Sequence, residues 1–219
     1  HGVPTMFIAQ LEDPDFDEFD LSTLRTGIMA GAPCPIEVMR QVNERMGMQD
    51  VLIAYGQTEA SPATTMTRVE DPLEIRVSTV GTVMPHQELK IIDPNTGKTV
   101  PRGEIGEICF RGYMVMAGYD NNPEATAEAI DKRQWLHSGD LGTMDEKGYV
   151  QITGRSKNMV IRGGENLYPR EIEEFLHTLD FVADAQVLGV PDERLGEELL
   201  ACVLLHGARA ANPPTPQEF

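Results

Sequence analysis

Two predicted strands and one amphipathic pattern occupy the first third of the chain. Residues 51–54 are apolar enough to form a short buried strand, and residues 24–30 are also predicted to form a strand. Between them, apolar residues recur at the spacing of one helix face: Ile36, Met39, Val42 and Met46. Pro33 or Pro35 opens this helix, since proline is tolerated in a first turn, and Gly47 ends it. The strand–helix–strand order predicts a parallel α/β layer up to about residue 85.

From residue 86 the pattern becomes β-rich. Strands are predicted at residues 88–92, 104–110, 141–144 and 149–152. The first two flank a turn-forming stretch at 93–98, and residues 135–140 lead into the last two. Asn122 is placed to cap a short helix that begins with a proline.

A smaller α+β unit is predicted after residue 157. Residues 154–157, Gly-Arg-Ser-Lys, break the β pattern, and we place a domain boundary there. Strands are predicted at residues 159–161, 185–190 and 199–205. A glycine loop separates the first strand from a helix that starts near Tyr168. Its inward residues are predicted to be Ile172, Phe175, Leu176 and Leu179.

The residues that directly follow the strand at 51–54 have the chemistry of a nucleotide site. Tyr55 offers a flat face for stacking, and Gly56 lets the backbone approach a ligand closely. Thr58 can donate to a phosphate oxygen, and Glu59 can hold Mg²⁺. Ligands bind beyond the carboxyl ends of strands in open α/β sheets. The alternative is a buried strand that runs into a polar turn.

Three further candidates lie along the chain. The turn-like stretch 138–140 places the carboxylate of Asp140 where it could accept from ribose hydroxyls, although an ordinary turn aspartate is the alternative. Arg155 could contact ribose or phosphate, or form a surface ion pair. Gly163 and Gly164 supply backbone amides and positive-φ freedom, which suit either a narrow channel or a plain turn.

Composition limits the class of function. The net charge of -17 argues against a nucleic-acid partner, because phosphate backbones need a basic face. No apolar run is long enough to span a bilayer. The three widely spaced cysteines, Cys34, Cys109 and Cys202, are expected to be buried thiols of a reducing compartment, here the cytoplasm. The five histidines show no ligand spacing, and we expect them to be solvated or satisfied in the core.

Taken in order, these segments resemble the adenylate-forming (AMP-binding) enzyme superfamily. The motifs that carry the resemblance are Gly31-Ala32-Pro33, Tyr55 to Glu59, Gly106-Glu107-Ile108, Gly118-Tyr119, Ser138-Gly139-Asp140, Gly154 to Lys157 and Gly163 to Pro169. They run along nearly the whole chain. Residues 84–86 and 162–169 are most similar to the medium-chain fatty acyl-CoA synthetase branch.

The resemblance implies an acid–thiol ligase that works in two steps. A fatty acid carboxylate attacks the α-phosphate of ATP, which gives acyl-AMP and pyrophosphate, and the thiol of coenzyme A then displaces AMP. Tyr55 and the backbone of Gly31 and Ala32 would hold the adenine, and Gly56 would belong to the same nucleotide site. Thr58 would contact phosphate.

The same resemblance assigns the remaining site residues. Glu59 would bind Mg²⁺, and Asp140 and Arg155 would hold the ribose. Lys157 would belong to a hinge at 155–157, about which a small lid (158–219) rotates between the two steps. Gly163 and Gly164 would line the pantetheine tunnel in the second state. Residues 1–154 would be the C-terminal part of the AMP-binding domain, with a barrel-like subdomain at 86–154.

Two family elements are missing from the sequence: a Gly/Ser/Thr-rich phosphate loop upstream and a catalytic lysine near the C-terminus. We therefore expect a fragment that does not catalyse adenylation alone and that self-associates through exposed apolar surface. Two alternatives stay open. One is a carrier-protein adenylation domain, and the other is a non-enzymic nucleotide-binding module.

Overall fold

The computed structural model describes residues 1–32, 34–207 and 213–215. The first of two units runs from His1 to Ile152, and the second begins at Thr153. The helices are α1 (Pro4–Leu11), α2 (Ile36–Arg45), α3 (Leu73–Ser78), α4 (Pro123–Ala129) and α5 (Pro169–Leu176). The strands are β1 (Thr26–Met29), β2 (Asp50–Tyr55), β3 (Thr65–Met66), β4 (Thr82–Val83), β5 (Gln87–Ile92), β6 (Gly106–Gly112), β7 (Leu136–Met144), β8 (Val150–Arg155), β9 (Val160–Arg162), β10 (Glu165–Leu167), β11 (Val182–Asp192) and β12 (Gly196–Leu205).

The first sheet has the strand order β1-β2-β3-β4. Strands β1 and β2 run parallel, with Thr26 opposite Asp50 and Met29 opposite Ile53, and α2 is the crossover between them. The predicted parallel α/β layer is therefore confirmed. Strands β3 and β4 extend the sheet in the antiparallel sense.

The core of this layer lies between the sheet and the helices α1 and α2. Its buried side chains include Phe7, Leu11, Met29, Met39, Val42, Met46, Val51 and Ile53. Of the predicted inner face of α2, only Ile36 is partly rather than fully buried. The helix ends at Arg45, and Gly47 follows with φ +68°, a conformation that glycine adopts readily just beyond a helix.

The second sheet has the order β5-β6-β7-β8. Strands β5 and β6 form the predicted antiparallel hairpin, and β7 pairs antiparallel to β6. The expected barrel-like form is corrected: within the described residues the strands make an open sheet and no closed barrel. The Asn122 side chain accepts from the amide of Ala125, so the predicted cap of α4 is present.

Strand β7 begins earlier than its sequence indicates. Residues 138–140 were interpreted as a tight turn, but they lie inside β7. Glu107 pairs with Leu141 and Cys109 with His137, so three residues of β7 stand opposite Ile108 alone. This is a β-bulge, and Gly139 at φ +72° adopts the left-handed backbone it needs. The sequence Ser-Gly-Asp suggests a turn, but the same small and polar residue types also occur in β-bulges.

The second unit is built on an antiparallel sheet of order β10-β9-β12-β11, against which α5 packs. Its core consists of Leu176, Val182, Ala185 and Val187, with Ile172 and Leu179 partly buried beside them. The prediction that Phe175 points inward is wrong, since its side chain is 56% exposed. Ile172 and Leu176 define the inner face of α5, and Phe175 is turned about 100° from Leu176.

The cysteines are not all buried as expected. Cys34 and Cys109 are buried, but Cys202 is exposed. It precedes Val203 on β12, and Val203 packs against the core beneath α5. Because successive side chains of a strand point to opposite faces, Cys202 lies on the opposite face.

None of the described helices is both long enough and apolar enough to cross a membrane.

Candidate functional site

Tyr55 and Asp140 meet in the first unit although they are far apart in sequence. The Tyr55 hydroxyl donates to Oδ2 of Asp140 over 2.7 Å. Asp140 is only 5% exposed, and the Tyr55 ring lies with its centroid 5.9 Å from that of Phe110. The predicted adenine-stacking ring and the predicted ribose acceptor are thus in direct contact.

The backbone around Tyr55 is packed without spare room. Its carbonyl oxygen accepts from both the amide and the hydroxyl of Thr64, over 2.8 and 2.9 Å. A Cβ atom on Gly56 would lie 1.9 Å from the carbonyl oxygen of Pro62, which no side chain tolerates. The chain's own backbone therefore requires glycine here, and close approach of a ligand to Gly56 stays a prediction.

The bulge that carries Asp140 is held by side chains. The Ser138 hydroxyl donates to the carbonyl oxygen of Ile108 over 2.6 Å and accepts from the Asp140 amide over 3.0 Å. The amide of Gly139 donates to Oε1 of Glu107 over 3.1 Å. These contacts satisfy backbone groups that the bulge removes from the regular ladder, and they fix the direction of the Asp140 carboxylate.

Glu59 follows β2 in the short 3₁₀ turn Thr58–Ala60. Its Oε1 accepts from the hydroxyl of Tyr119 over 2.8 Å, and its carbonyl oxygen accepts from the amide of Met116 over 2.8 Å. The hydrogen bond to Glu59 raises the pKa of Tyr119 above its ordinary value, because a phenolate could no longer donate. Thr58 is exposed beside this anchored carboxylate.

Gly31 and Ala32 lie just beyond β1, at the edge of the sheet where β2 also ends. Both are exposed, and Gly31 has φ +86°. Because β1 and β2 are parallel neighbours, their carboxyl ends meet at this edge, as expected for a ligand site in an open α/β sheet. Pro33, the third residue of the motif, lies outside the described residues.

The other predicted site residues belong mostly to the second unit. Arg155 ends β8, and Lys157 lies in a 3₁₀ turn, Ser156–Asn158. Gly163 and Gly164 form the two-residue turn between β9 and β10, at φ +60° and +91°. The plain-turn interpretation of the two glycines therefore describes their geometry. The hinge, the tunnel and the ribose contact of Arg155 stay predictions.

Sequence reasoning missed several residues that hold the site in place. Tyr119 anchors Glu59, Glu107 holds the Gly139 amide, and Phe110 packs against Tyr55. Tyr119 and Glu107 belong to the motifs quoted for the resemblance, but no spacing along the chain reveals a contact between residues 59 and 119. That contact depends on how the segment after β2 packs against the segment after β6.

Two family models match separate parts of the chain. Residues 1–120 match the sequence model of the AMP-binding enzyme family. Residues 171–218 match that of the AMP-binding enzyme C-terminal domain. The first match alone covers more than half of the 219 residues.

Curated relatives match along almost the whole chain. The YngI protein of Bacillus subtilis is 59% identical over 213 residues, which are 97% of this chain and 39% of that protein. The mitochondrial medium-chain acyl-CoA ligase ACSF2 of Bos taurus is 47% identical over 205 residues, 94% of this chain and 33% of the ligase. The chain thus spans between a third and two-fifths of the length of these relatives.

Solved structures share the fold. The amide bond synthetase McbA from Marinactinospora thermotolerans is 35% identical, with a TM-score of 0.87 over 98% of this chain and 42% of McbA. The anthranilate CoA ligase AuaEII, in complex with anthranoyl-AMP, is 30% identical, with a TM-score of 0.86 over 99% of this chain and 40% of AuaEII.

Proposed function

Because this chain belongs to the AMP-binding enzyme family, we propose that it carries the adenosine side of the site of an ATP-dependent fatty acyl-CoA synthetase. The full-length enzyme would join a fatty acid to AMP with release of pyrophosphate. It would then transfer the acyl group to coenzyme A. The observation that carries the proposal is the hydrogen bond between Tyr55 and Asp140.

That hydrogen bond suits adenosine binding for two reasons. It fixes the orientation of the Tyr55 ring, so that its face is ready to stack on a base. It also places the Asp140 carboxylate, an acceptor group, beside the ring. This carboxylate would accept from the ribose hydroxyls, with Gly31 and Ala32 at the carboxyl-terminal sheet edge beside the adenine.

Glu59 and Thr58 are suited to the phosphate end. Mg²⁺ in nucleotide sites is usually held by one or two carboxylates together with substrate phosphates. The Glu59 carboxylate, anchored by Tyr119, provides a hard oxygen ligand of that kind. When bound, the ion would offset negative charge on the phosphate oxygens. Thr58, exposed beside it, would donate its hydroxyl to a phosphate oxygen.

In the second unit the proposal assigns backbone and hinge roles. Arg155 would contact the ribose, and Lys157 would lie at the hinge about which the lid turns. The exposed glycine turn 163–164 would pass beside the pantetheine arm of coenzyme A, where the absence of side chains leaves room. One site could then serve two reactions by a rotation of the lid.

The substrate class is inferred from relatives. ACSF2 is named a medium-chain acyl-CoA ligase, which favours a medium-chain fatty acid over the amino or aryl acid of a carrier-protein adenylation domain. A cytoplasmic location is part of the proposal for this chain, although ACSF2 is named mitochondrial. Self-association would involve exposed apolar side chains such as Leu204, 64% exposed.

Assays on the full-length protein would test this function. With ATP, coenzyme A and fatty acids of graded length, we expect thioester formation with one AMP released per turnover and a preference for medium chains. Glu59→Gln should lower kcat by about 100-fold, in the range of lost charge stabilisation at a reacting phosphate. The exposed Glu124→Gln should leave kcat unchanged.

Two results would overturn the proposal. One is the absence of acid-dependent ATP–pyrophosphate exchange in folded full-length protein. The other is release of ADP in place of AMP. For the 219-residue chain alone we expect no useful exchange, and robust turnover would refute that expectation.

A further inference from the structure

Strands β6 and β7 bring together three side chains of the kinds that bind metal ions. Glu107 and Cys109 are two residues apart on β6 and share one face of the sheet, and Cys109 pairs with His137 on β7. One ligand atom from each, a carboxylate oxygen, a thiol sulfur and an imidazole nitrogen, all lie within 4.8 Å of one another. None of the proposed nucleotide contacts uses Cys109 or His137.

The distances are close to those of a tetrahedral zinc site. Nδ1 of His137 lies 2.9 Å from Oε2 of Glu107 and 3.7 Å from Sγ of Cys109. Ligand atoms around a tetrahedral Zn²⁺, at bonds of about 2.0–2.3 Å, stand about 3.3–3.8 Å apart. We propose that Glu107, Cys109 and His137 form a site for Zn²⁺ or a similar borderline-soft divalent ion, with water as the fourth ligand.

The three side chains are largely enclosed by their surroundings. Cys109 is fully buried against Ile92 and Trp135, whereas the side chains of His137 and Glu107 are 29% and 14% exposed. An ion can therefore reach the site from the His137 side. Two adjacent strands of one sheet hold all three ligands, so binding requires small side-chain movements and no new backbone arrangement.

The proton balance of binding follows from the contacts. Nδ1 of His137 faces the acceptor Oε2 of Glu107, so the tautomer that suits this contact carries its proton on Nδ1. On binding, the imidazole proton moves to Nε2, which leaves the Nδ1 lone pair for the ion. The Cys109 thiol releases its proton to solvent as the sulfur becomes a thiolate ligand.

Lys90 is a neighbouring charge that weakens the site. It pairs with Cys109 across β5 and β6, and its ammonium lies 4.4 Å over the Trp135 ring. A positive charge there repels a bound cation, so the thiolate and imidazole must supply most of the affinity. Replacing Lys90 by Gln should tighten binding of the ion.

The proposal is tested by titrating the metal-free protein with Co²⁺ as a spectroscopic probe. We expect one equivalent to give a thiolate-to-cobalt charge-transfer band, which Zn²⁺ then abolishes by displacement. Cys109→Ser and His137→Gln should each weaken Co²⁺ binding by at least about 100-fold. Even substitution of a residue that only hydrogen-bonds to a metal ligand lowers metal affinity by about 10- to 100-fold. The matched changes Cys202→Ser and His177→Gln lie outside the cluster and should have no effect.

The readout does not depend on nucleotide binding or on activity, so it is separate from the proposed function. Circular dichroism shows whether each variant is folded. If the change at buried Cys109 disturbs the sheet, the variant at the partly exposed His137 provides the test instead. The site is refuted if folded wild-type protein gives no charge-transfer band. It is equally refuted if the band persists in both cluster variants.

Discussion

The two units hold their candidate site residues in different ways. In the first unit, hydrogen bonds join Tyr55 to Asp140 and Glu59 to Tyr119, residues that are 85 and 60 positions apart. In the second unit, the glycine turn 163–164 is exposed and is defined by its own backbone conformation. The site residues of the first unit are positioned by tertiary contacts, and the glycine turn of the second unit is positioned by its local backbone conformation.

This difference indicates how each unit should respond to substitutions. Substitutions around Tyr55 and Glu59 in the first unit should act through steric overlap or through the loss of a distant partner. Substitutions at the exposed turns of the second unit should act mainly through local backbone strain. Under the proposed function, a ribose and base would need fixed partners, whereas a turn beside a flexible arm would need only to be free of side chains.

The largest difference between the units is expected in the reactivity of two thiols, Cys109 in the first unit and Cys202 in the second. Burial, followed by the charge of Glu107, raises the pKa of Cys109 to about 12. Its thiol is therefore neutral below that pH, and at pH 8 only about one molecule in 10,000 is the reactive thiolate. In metal-free native protein, iodoacetamide should label exposed Cys202 at least about 1,000-fold faster than Cys109, as followed by mass spectrometry.

Unfolding with denaturant should remove this difference, which is the control for the two thiols. Labelling of Cys109 should rise about tenfold for each pH unit over the range in which the protein stays folded, because the thiolate population grows in that proportion. Equal labelling of the two thiols at pH 8 in native protein would contradict the buried placement of Cys109.

Gly56→Ala should be strongly destabilising. The new Cβ would lie 1.9 Å from the carbonyl oxygen of Pro62, a backbone atom that cannot move aside. We expect a loss of about 3 kcal/mol or more in the free energy of unfolding, at the upper end of overpacking effects. Thermal unfolding measures it. Gly2→Ala is the matched control, since its nearest neighbours are side-chain atoms 3.4 Å away, and it should change stability by about 0.5 kcal/mol or less.

If Gly56→Ala unfolded at the same temperature as the parent chain, the close packing around Tyr55 would be refuted.

Gly164→Ala should have a smaller effect of a different origin. There is open space around its Cβ position, but its φ is +91°. Backbone strain alone should cost about 1–2 kcal/mol. Gly97→Ala, at φ +67° in open space in the first unit, should cost about the same. Urea unfolding of both variants checks this, and a cost at Gly164 near that of Gly56→Ala would break the contrast between the units.

The sequence predicted what depends on local spacing. The helix face Met39–Val42–Met46, the parallel pair β1 and β2 and the Asn122 cap all follow from short-range patterns. The bulge at 138–140 was mistaken for a turn, because both use small and polar residues. Sequence spacing could not place Phe175, whose exposure depends on which residues of α5 meet the sheet.

For the candidate site, the sequence identified candidate residues but not the residues that they contact. Tyr55, Glu59 and Asp140 were singled out by chemistry and by motif order. That Tyr119 reaches Glu59 depends on packing between distant segments, and so does the meeting of Tyr55 with Asp140. The group Glu107, Cys109 and His137 was missed because its side chains come from two strands, so no single stretch shows metal-ligand spacing.

Calorimetric titration of AMP tests most directly the claim that Tyr55 and Asp140 together form the adenosine side of a nucleotide site. It is best done as a double-mutant cycle in the full-length protein. We predict that Tyr55→Phe weakens AMP binding by about 10-fold and Asp140→Asn by about 100-fold, since hydrogen bonds to charged groups contribute about 1.5–3 kcal/mol. The double variant should be little weaker than Asp140→Asn, because the two residues act through one shared contact. Unchanged AMP affinity in folded Asp140→Asn would contradict the account.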